Sequence, residues 1–243
     1  MRLDQYLVSN QTYPTRNRAQ EAIKSGYIQV NGKTVVKASF EVEEGMAIHS
    51  TDTVKYVSRS GNKLAFALEK RPYDFTEKHV LDLGAAAGGF TQVALQHNAS
   101  SVLCVDVGTN QLDVQLRRDP RVKTLENTDA RDLTREQLDA QIDILLMDVS
   151  FISGKKILAH VLPLLTPRLT AYVLIKPQFE VGPQHVSDTG QIKNPRIVST
   201  MLEEYKSFLR DYGVTILDLF ECGFKGKEGN TEYFVVFEKT ESR

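Results

Sequence analysis

Two apolar runs in this chain end on residues that can hold or move a proton. Ile142-Asp-Ile-Leu-Leu-Met leads into Asp148-Val-Ser-Phe-Ile-Ser153, and Tyr172-Val-Leu-Ile leads into Lys176-Pro-Gln-Phe-Glu180. Binding crevices of open α/β sheets lie at the carboxyl ends of strands. An amine leaving one buried strand beside a carboxylate leaving another therefore suits a reaction centre. A buried structural ion pair is the competing explanation, but such pairs contribute little net stability. A third stretch, His79 to Thr91, reads H-V-L-D-L-G-A-A-A-G-G-F-T. It holds one strand's worth of apolar residues, a glycine-rich turn, and a helix start whose apolar face is Phe90, Val93, Ala94 and Leu95. Strand, glycine turn and helix together form the nucleotide- or nucleoside-binding entry of a doubly wound sheet.

The spacing in that turn restricts the ligand. Gly84-Ala-Ala-Ala-Gly88-Gly89 is not G-x-G-x-x-G, because alanine stands where the dinucleotide fingerprint brings backbone against a pyrophosphate. Asp82, two residues before Gly84, suits a ligand with a cationic α-amino group and no phosphate. Asp106 follows about 20 residues later, at the end of the next apolar run, where a carboxylate can accept both ribose hydroxyls. Asp129 follows the run Val122–Leu125 and can bond an adenine amino group. Each aspartate alone could be a loop or capping residue. Three at the ends of successive strands point to S-adenosylmethionine. The expected cofactor contacts are Asp82, Gly84, Ala85, Gly88, Gly89, Phe90, Asp106, Asp129 and Asp148.

These residues need a sheet to hold them. From His79 onward, strands are predicted at Val80–Leu83, Val102–Asp106, Val122–Leu125, Ile142–Asp148 and Tyr172–Lys176, alternating with helices. A long amphipathic helix, Ile197–Tyr212, precedes two strands, Val214–Phe220 and Glu232–Glu238. The gap between those two is too short for a crossover helix, so they must pair antiparallel. The pattern is α/β, a Rossmann-like methyltransferase sheet of seven strands, mostly parallel with an antiparallel last strand. Residues 177–195 form a long Gly/Pro-containing loop, expected as a wall or lid over the substrate.

The first 50 residues read as a separate small α+β module. Leu3, Tyr6 and Leu7 have helical spacing, and a second helix runs from Arg16 to Ser25 with Thr15 as N-cap and Gly26 as stop. Tyr27 to Lys33 alternates and ends in Asn31-Gly32, a strand entering a hairpin; Val35, Phe40 and Val42 are expected to continue the sheet to near Ile48. Residues 51–60 are polar and aperiodic and are expected as the linker, with 61–243 as the second domain.

The 243 residues are 41% hydrophobic and 25% charged, an ordinary globular composition. No apolar run reaches the length of a membrane helix, and Met1 to Leu7 is not a signal peptide. Two cysteines, Cys104 and Cys222, lie in apolar runs and read as reduced core thiols, which fits a cytoplasmic protein. Neither they nor the five histidines have metal-site spacing, so no metal is expected. The net charge is −1, yet residues 1–37 hold six Lys/Arg against two Asp/Glu. A local basic patch of this kind is the footprint of nucleic-acid binding.

Two resemblances extend this reading. Arg2-Leu3-Asp4-x-x-Leu7, Thr15-Arg16-x-x-Ala19 and Ile23-Lys24-x-Gly26-x-Ile28-x-Val30-Asn31-Gly32-Lys33 resemble the S4-type RNA-binding domain, with Thr15 where that family usually has Ser. The resemblance implies that Arg2, Arg16, Arg18, Lys24 and Lys33 face RNA. The remaining motifs are Ser58-Arg-Ser-Gly-Asn-Lys63, Leu81-Asp-Leu-Gly through Gly88-Gly-Phe-Thr91, Val105-Asp-Val-Gly108, Asp148-Val-Ser-Phe-Ile-Ser153, Lys176-Pro-Gln-Phe-Glu-Val-Gly182 and Lys227-x-Gly229-Asn230-x-Glu232. Together with the S4-like module they resemble the TlyA family of ribosomal RNA 2′-O-methyltransferases, historically called haemolysins, whose catalytic half is FtsJ-like. Alanines replace the Ser-Thr that the family often carries between the motif glycines. By this resemblance Lys63, Asp148, Lys176 and Glu232 form a catalytic tetrad that methylates a cytidine ribose. The partner is ribosomal RNA or a ribosomal subunit, with no membrane, and a monomer is the working expectation. Lys176 is expected to contact the hydroxyl as base or as cation, and the Lys225-Gly-Lys227 turn to touch phosphates. Starting at the S4-like motif without a basic extension, the chain resembles short forms that modify large-subunit RNA. A non-catalytic ribosome-assembly binder and a membrane-active haemolysin are the alternatives.

Overall fold

The computed structural model describes residues 1–10, 12–13, 16–51, 56–138 and 140–240, apart from the side chain of Asn17. It divides into two units, Met1–Lys55 and Tyr56–Arg243. The proposed N-cap Thr15 and most of the first half of the expected linker lie outside the described residues.

In the first unit, helices α1 (Leu3–Ser9) and α2 (Arg16–Lys24) pack on a three-stranded sheet, β1 (Ile28–Val30), β2 (Lys33–Thr34) and β3 (Ile48–Ser50), in the order β2-β1-β3. Asn31 and Gly32 both take positive φ, 49° and 76°, which matches the twist of a two-residue hairpin. Leu3, Leu7, Ala19, Ile23 and Ile28 close its core. The sheet differs from expectation between Val35 and Ile48. Val35, Phe40 and Val42 pack on the core from irregular backbone, and the third strand begins only at Ile48. Glu43, Glu44 and a left-handed Gly45 interrupt any alternation there.

The second unit begins with α3 (Arg59–Lys70) and continues β4 (His79–Leu83), α4 (Gly89–Gln96), β5 (Ser101–Val105), α5 (Val114–Arg118), β6 (Val122–Leu125), β7 (Ile144–Met147), α6 (Gly154–Leu164), β8 (Leu169–Ile175), α7 (Pro177–Glu180), α8 (Arg196–Asp211), β9 (Val214–Glu221) and β10 (Tyr233–Lys239). Tyr56, inside the expected linker, is buried in this unit, and the Val57 N–H donates to Gln92 Oε1 at 2.7 Å. The seven strands order as β6-β5-β4-β7-β8-β10-β9. Strand β10 runs antiparallel to both neighbours and the other strand pairs are parallel. All seven residues of β8 are buried, as a strand covered on both faces requires. Ala171, Val173 and Ile175 join the core under α6 and α8, whereas Tyr172 and Leu174 join the core under α3 and α4. The chain steps outward from β4 through β5 to β6, then returns to the other side of β4 with β7. That reversal opens a crevice at the carboxyl ends of β4 and β7. No described helix is long and apolar enough to cross a membrane.

Candidate active site

Sheet register brings the lysines and carboxylates together. Leu83 pairs with Met147, so Gly84 and Asp148 leave adjacent strands side by side, and the Asp148 N–H donates to Leu83 O at 3.1 Å. Tyr233 pairs with Ile175, which sets Glu232 beside Lys176 where β10 enters and β8 leaves. Lys63 reaches the same place from α3. Its Nζ lies 2.6 Å from Glu232 Oε2, with the side chains 11% and 2% exposed. Lys176 Nζ lies 2.7 Å from Asp148 Oδ1 and donates to Ser150 Oγ at 2.7 Å. The Asp148 contact is an ion pair without hydrogen-bond alignment, and Oδ1 has no hydrogen-bond donor among the described residues. Burial disfavours the charge on Lys63, but Asp148 and Glu232 outweigh it and raise its pKa. Lys63 is thus a fixed cation held by two carboxylates.

A cleft of about 1450 Å³ opens beside this cluster. Gly84, Ala86, Asp106, Asp129 and Asp148 line one part, and Phe151, Gln178, Phe179 and the loop residues Gly182, Pro183 and Val186–Asp188 line another. Gly84 has φ +78°, and a Cβ there would stand 2.7 Å from Asp148 O. Only glycine lets the turn pass this close to the strand end that carries Asp148. Asp106 accepts the Ala86 N–H at 2.9 Å and the Gly108 N–H at 2.7 Å, one on each carboxylate oxygen. The carboxylate is fixed and retains lone pairs for a pair of hydroxyls. Asp129 caps a 3-10 turn and binds Arg131 through both oxygens, at 3.0 and 2.6 Å.

Other expected cofactor contacts are placed differently. Ala85 and Phe90 are buried; Phe90 stacks on Phe234 with ring centroids 6.2 Å apart. A Cβ on Gly88 would strike Leu112 and Leu116, and one on Gly89 would strike Ser58 and Ser60. These four residues support the turn from inside and do not line the cleft. Asp82 is wholly buried within β4, and Thr91 Oγ1 donates to its Oδ2 at 2.6 Å while also meeting Cys104 Sγ at 3.1 Å. Burial pushes the Asp82 carboxyl up to about 7, with Thr91 opposing and Asp148 and Asp106 adding. Asp82 Oδ1 has no donor among the described residues. The mutual influence of Asp82, Asp106 and Asp148 is that of a negative field around the glycine turn. The two donorless oxygens, on Asp82 and Asp148, add to it. That field fits a cationic ligand such as a sulfonium with an ammonium group, and it disfavours a phosphate.

Three positioning groups escaped the spacing argument. Ser150 holds Lys176. Glu180 ties α7 to the segment after β7, accepting the Ser153 hydroxyl and the Gly154 N–H, each at 2.6 Å; burial raises its pKa against both bonds. Asn230 clamps the long loop to the β9–β10 turn, donating to Gly190 O at 2.8 Å and accepting the Ile192 N–H at 3.1 Å. Their signal was present only as polar residues inside recognised motifs. Phe151 is a further surprise. It is 89% exposed, sits at φ +66°, and tilts over Phe179 with centroids 5.4 Å apart. A bulky side chain held in the left-handed region signals strain retained at a working site.

In the first unit, Lys24 and Lys33 are exposed. Arg2 and Arg16 are partly exposed, 38% and 50%, and both bind Asp4. Arg18 corrects the expectation. It is 6% exposed and turned to Glu21 at 3.3 Å, so its guanidinium does not face outward. In the second unit, Lys225 Nζ bonds Thr231 Oγ1, and Arg59 donates to Lys225 O at 3.4 Å.

A seven-stranded sheet with one antiparallel strand, a glycine turn after a central strand and carboxylates at the ends of its neighbours define the Rossmann-like methyltransferase fold. The chain belongs to the FtsJ-like methyltransferase family, whose model matches residues 56–239; an S4 domain model matches residues 1–48. It is 36% identical to "Hemolysin A" of Brachyspira hyodysenteriae over 98% of this chain and 99% of that protein. It is 34% identical to the "16S/23S rRNA (cytidine-2'-O)-methyltransferase TlyA" of Mycobacterium tuberculosis, over 96% of this chain and 88% of that one. A solved putative hemolysin from Streptococcus thermophilus superposes with a TM-score of 0.80 at 32% identity, covering 100% of this chain and 89% of that one.

Proposed function

We propose that this methyltransferase modifies the ribose 2′-hydroxyl of a cytidine in ribosomal RNA, with S-adenosylmethionine as methyl donor and large-subunit RNA as the first substrate to test. One observation carries the reading: Lys63–Glu232 and Lys176–Asp148 converge at the ends of three adjacent strands, beside a cleft whose glycine turn is ringed by carboxylates. Asp106 and Asp129 would hold the nucleoside part of the cofactor, and the carboxylate field around Gly84 its cationic part. When bound, the cofactor supplies a methyl group already activated by the sulfonium.

The protein's task is then to orient a weak nucleophile and manage one proton. Of the three N–H groups on Lys176, one faces Asp148 and one bonds Ser150. The third is left for the substrate hydroxyl. An ammonium in this position orients the oxygen lone pair and stabilises the negative charge that grows as the O–H proton leaves. Glu232 and Asp148 keep Lys63 and Lys176 in register. Phe151, exposed at the cleft mouth, offers a stacking surface for an unstacked base. The S4 unit contributes RNA affinity.

The test is transfer of a tritiated methyl group from S-adenosylmethionine to unmodified ribosomal RNA. Incorporation by wild type and loss in Lys176→Ala supports the reading; RNA binding without transfer favours an assembly factor instead. A single-turnover pH profile between about pH 6 and about pH 10 then separates the two roles of Lys176. A flat wild-type profile fits the cation, and a single rise with pH fits the base.

A further inference from the structure

Among the described residues, the most heavily bonded carboxylate of the first unit is Asp4, outside the catalytic site. Asp4 is 0% exposed, yet it sits on a short helix between two partly exposed arginines. Arg2 binds it in a fork, Nε to Oδ1 at 3.0 Å and Nη2 to Oδ2 at 3.1 Å. Arg16 Nε reaches Oδ2 at 2.9 Å, and Gln20 Nε2 reaches the same oxygen at 2.6 Å. The hydrogen bonds from Arg2, then those from Gln20 and Arg16, hold the carboxyl far below its usual range in spite of burial. The carboxylate is therefore a permanent anchor. Both arginines spend their inner Nε edge on it, which leaves several terminal N–H groups on each for another partner. Arg2 has little backbone freedom: it bridges Glu41, and the N–H of the next residue, Leu3, donates to Phe40 O at 2.7 Å.

We propose that Asp4 is a positioning residue that aligns Arg2 and Arg16 into one two-guanidinium site for a backbone phosphate of RNA. This rests on the reading of the first unit as an RNA-binding module. Asp4 removes one positive charge from the patch. Its value lies in geometry: paired guanidinium forks recognise phosphate oxygens through directed bonds, which loose cations do not. Bulk electrostatics makes the opposite prediction, because deleting a negative charge from an RNA-binding face ought to strengthen binding.

The two expectations separate in one experiment on the full chain, filter binding to in-vitro-transcribed 23S ribosomal RNA across about 50 to about 200 mM KCl. Asp4→Asn is expected to weaken binding about 10-fold and to flatten the slope of log affinity against log salt by about 0.7–0.9, one phosphate contact. Arg2→Lys and Arg16→Lys keep the charge and lose the fork, so they are expected to fall in the same direction. They carry the test if Asp4→Asn melts early. Tighter or unchanged binding by a folded Asp4→Asn with an unchanged slope overturns the proposal while leaving the RNA-binding reading intact, as do lysine variants that bind like wild type. If Arg2→Ala with Arg16→Ala binds RNA as wild type does, both the proposal and that reading of these arginines fall.

Discussion

The Lys63–Glu232 pair makes an asymmetric prediction about stability. At 2.6 Å, with side chains 11% and 2% exposed, it is shielded from the solvent screening that makes surface pairs nearly worthless. Removing one partner of a buried pair costs about 3–5 kcal/mol, because the other charge is left uncompensated. Here the two halves differ. Lys63 also lies in the field of Asp148, whereas Lys63 is the ion-pair partner found for Glu232 among the described residues. Lys63→Met should therefore cost about 3–5 kcal/mol. Glu232→Gln retains an acceptor for Lys63 and should cost only about 1–2 kcal/mol. In the double variant neither charge remains, so most of the Lys63→Met loss should return, with a coupling of about 2 kcal/mol or more. Denaturant melts of the four proteins, at a pH where carboxylates are ionised, measure all three quantities. A Lys63→Met cost below about 0.5 kcal/mol, or a larger cost for Glu232→Gln, would refute the buried pair and the ordering of its two charges.

Three further outcomes follow from the same geometry. The folded pKa of Asp82, about 7, stands above its ordinary 3.8, so its contribution to stability is complete below about pH 4 and is lost as pH rises through about 7. Asp82→Asn should flatten the fall in melting temperature over that window, and an unchanged pH dependence would contradict the raised pKa of the buried carboxyl. Phe151→Gly should relieve left-handed strain and leave the fold as stable or about 1 kcal/mol more stable. It should also lower kcat/KM for RNA about 10- to 100-fold by removing a stacking surface; full activity would remove Phe151 from the substrate path. Glu180→Ala strips an acceptor from the start of α6 and unties α7 from the segment after β7. It should cost about 1–2 kcal/mol in stability and about 100-fold in kcat at saturating cofactor, and kcat within threefold of wild type would count against the tie.

Much of this was legible because strand ends are marked by a change from apolar to polar, and three such changes fell on Asp106, Asp148 and Lys176, directly after β5, β7 and β8. Alternation also revealed the antiparallel end of the sheet, since Glu232–Glu238 and Val214–Phe220 leave too little chain for a crossover. What one-dimensional spacing could not show is direction. Asp82 pairs with Cys104 inside the sheet and packs on Thr91, whereas Asp106 lies two residues farther along, past the end of β5, and lines the cleft. Arg18 lies two residues from Arg16 and turns inward: on a helix, positions two apart do not share a face. The glycines misled in the same way. Gly88 and Gly89 are needed because Leu112, Leu116, Ser58 and Ser60 crowd them, contacts that exist only after folding.

Nucleoside mass spectrometry of unmodified ribosomal RNA incubated with the protein and S-adenosylmethionine tests the ribose-methylation reading most directly. The expected result is 2′-O-methylcytidine at a single position, absent with Lys176→Ala. A methyl group on a nucleobase, on a nucleoside other than cytidine, or nowhere in the RNA would contradict it.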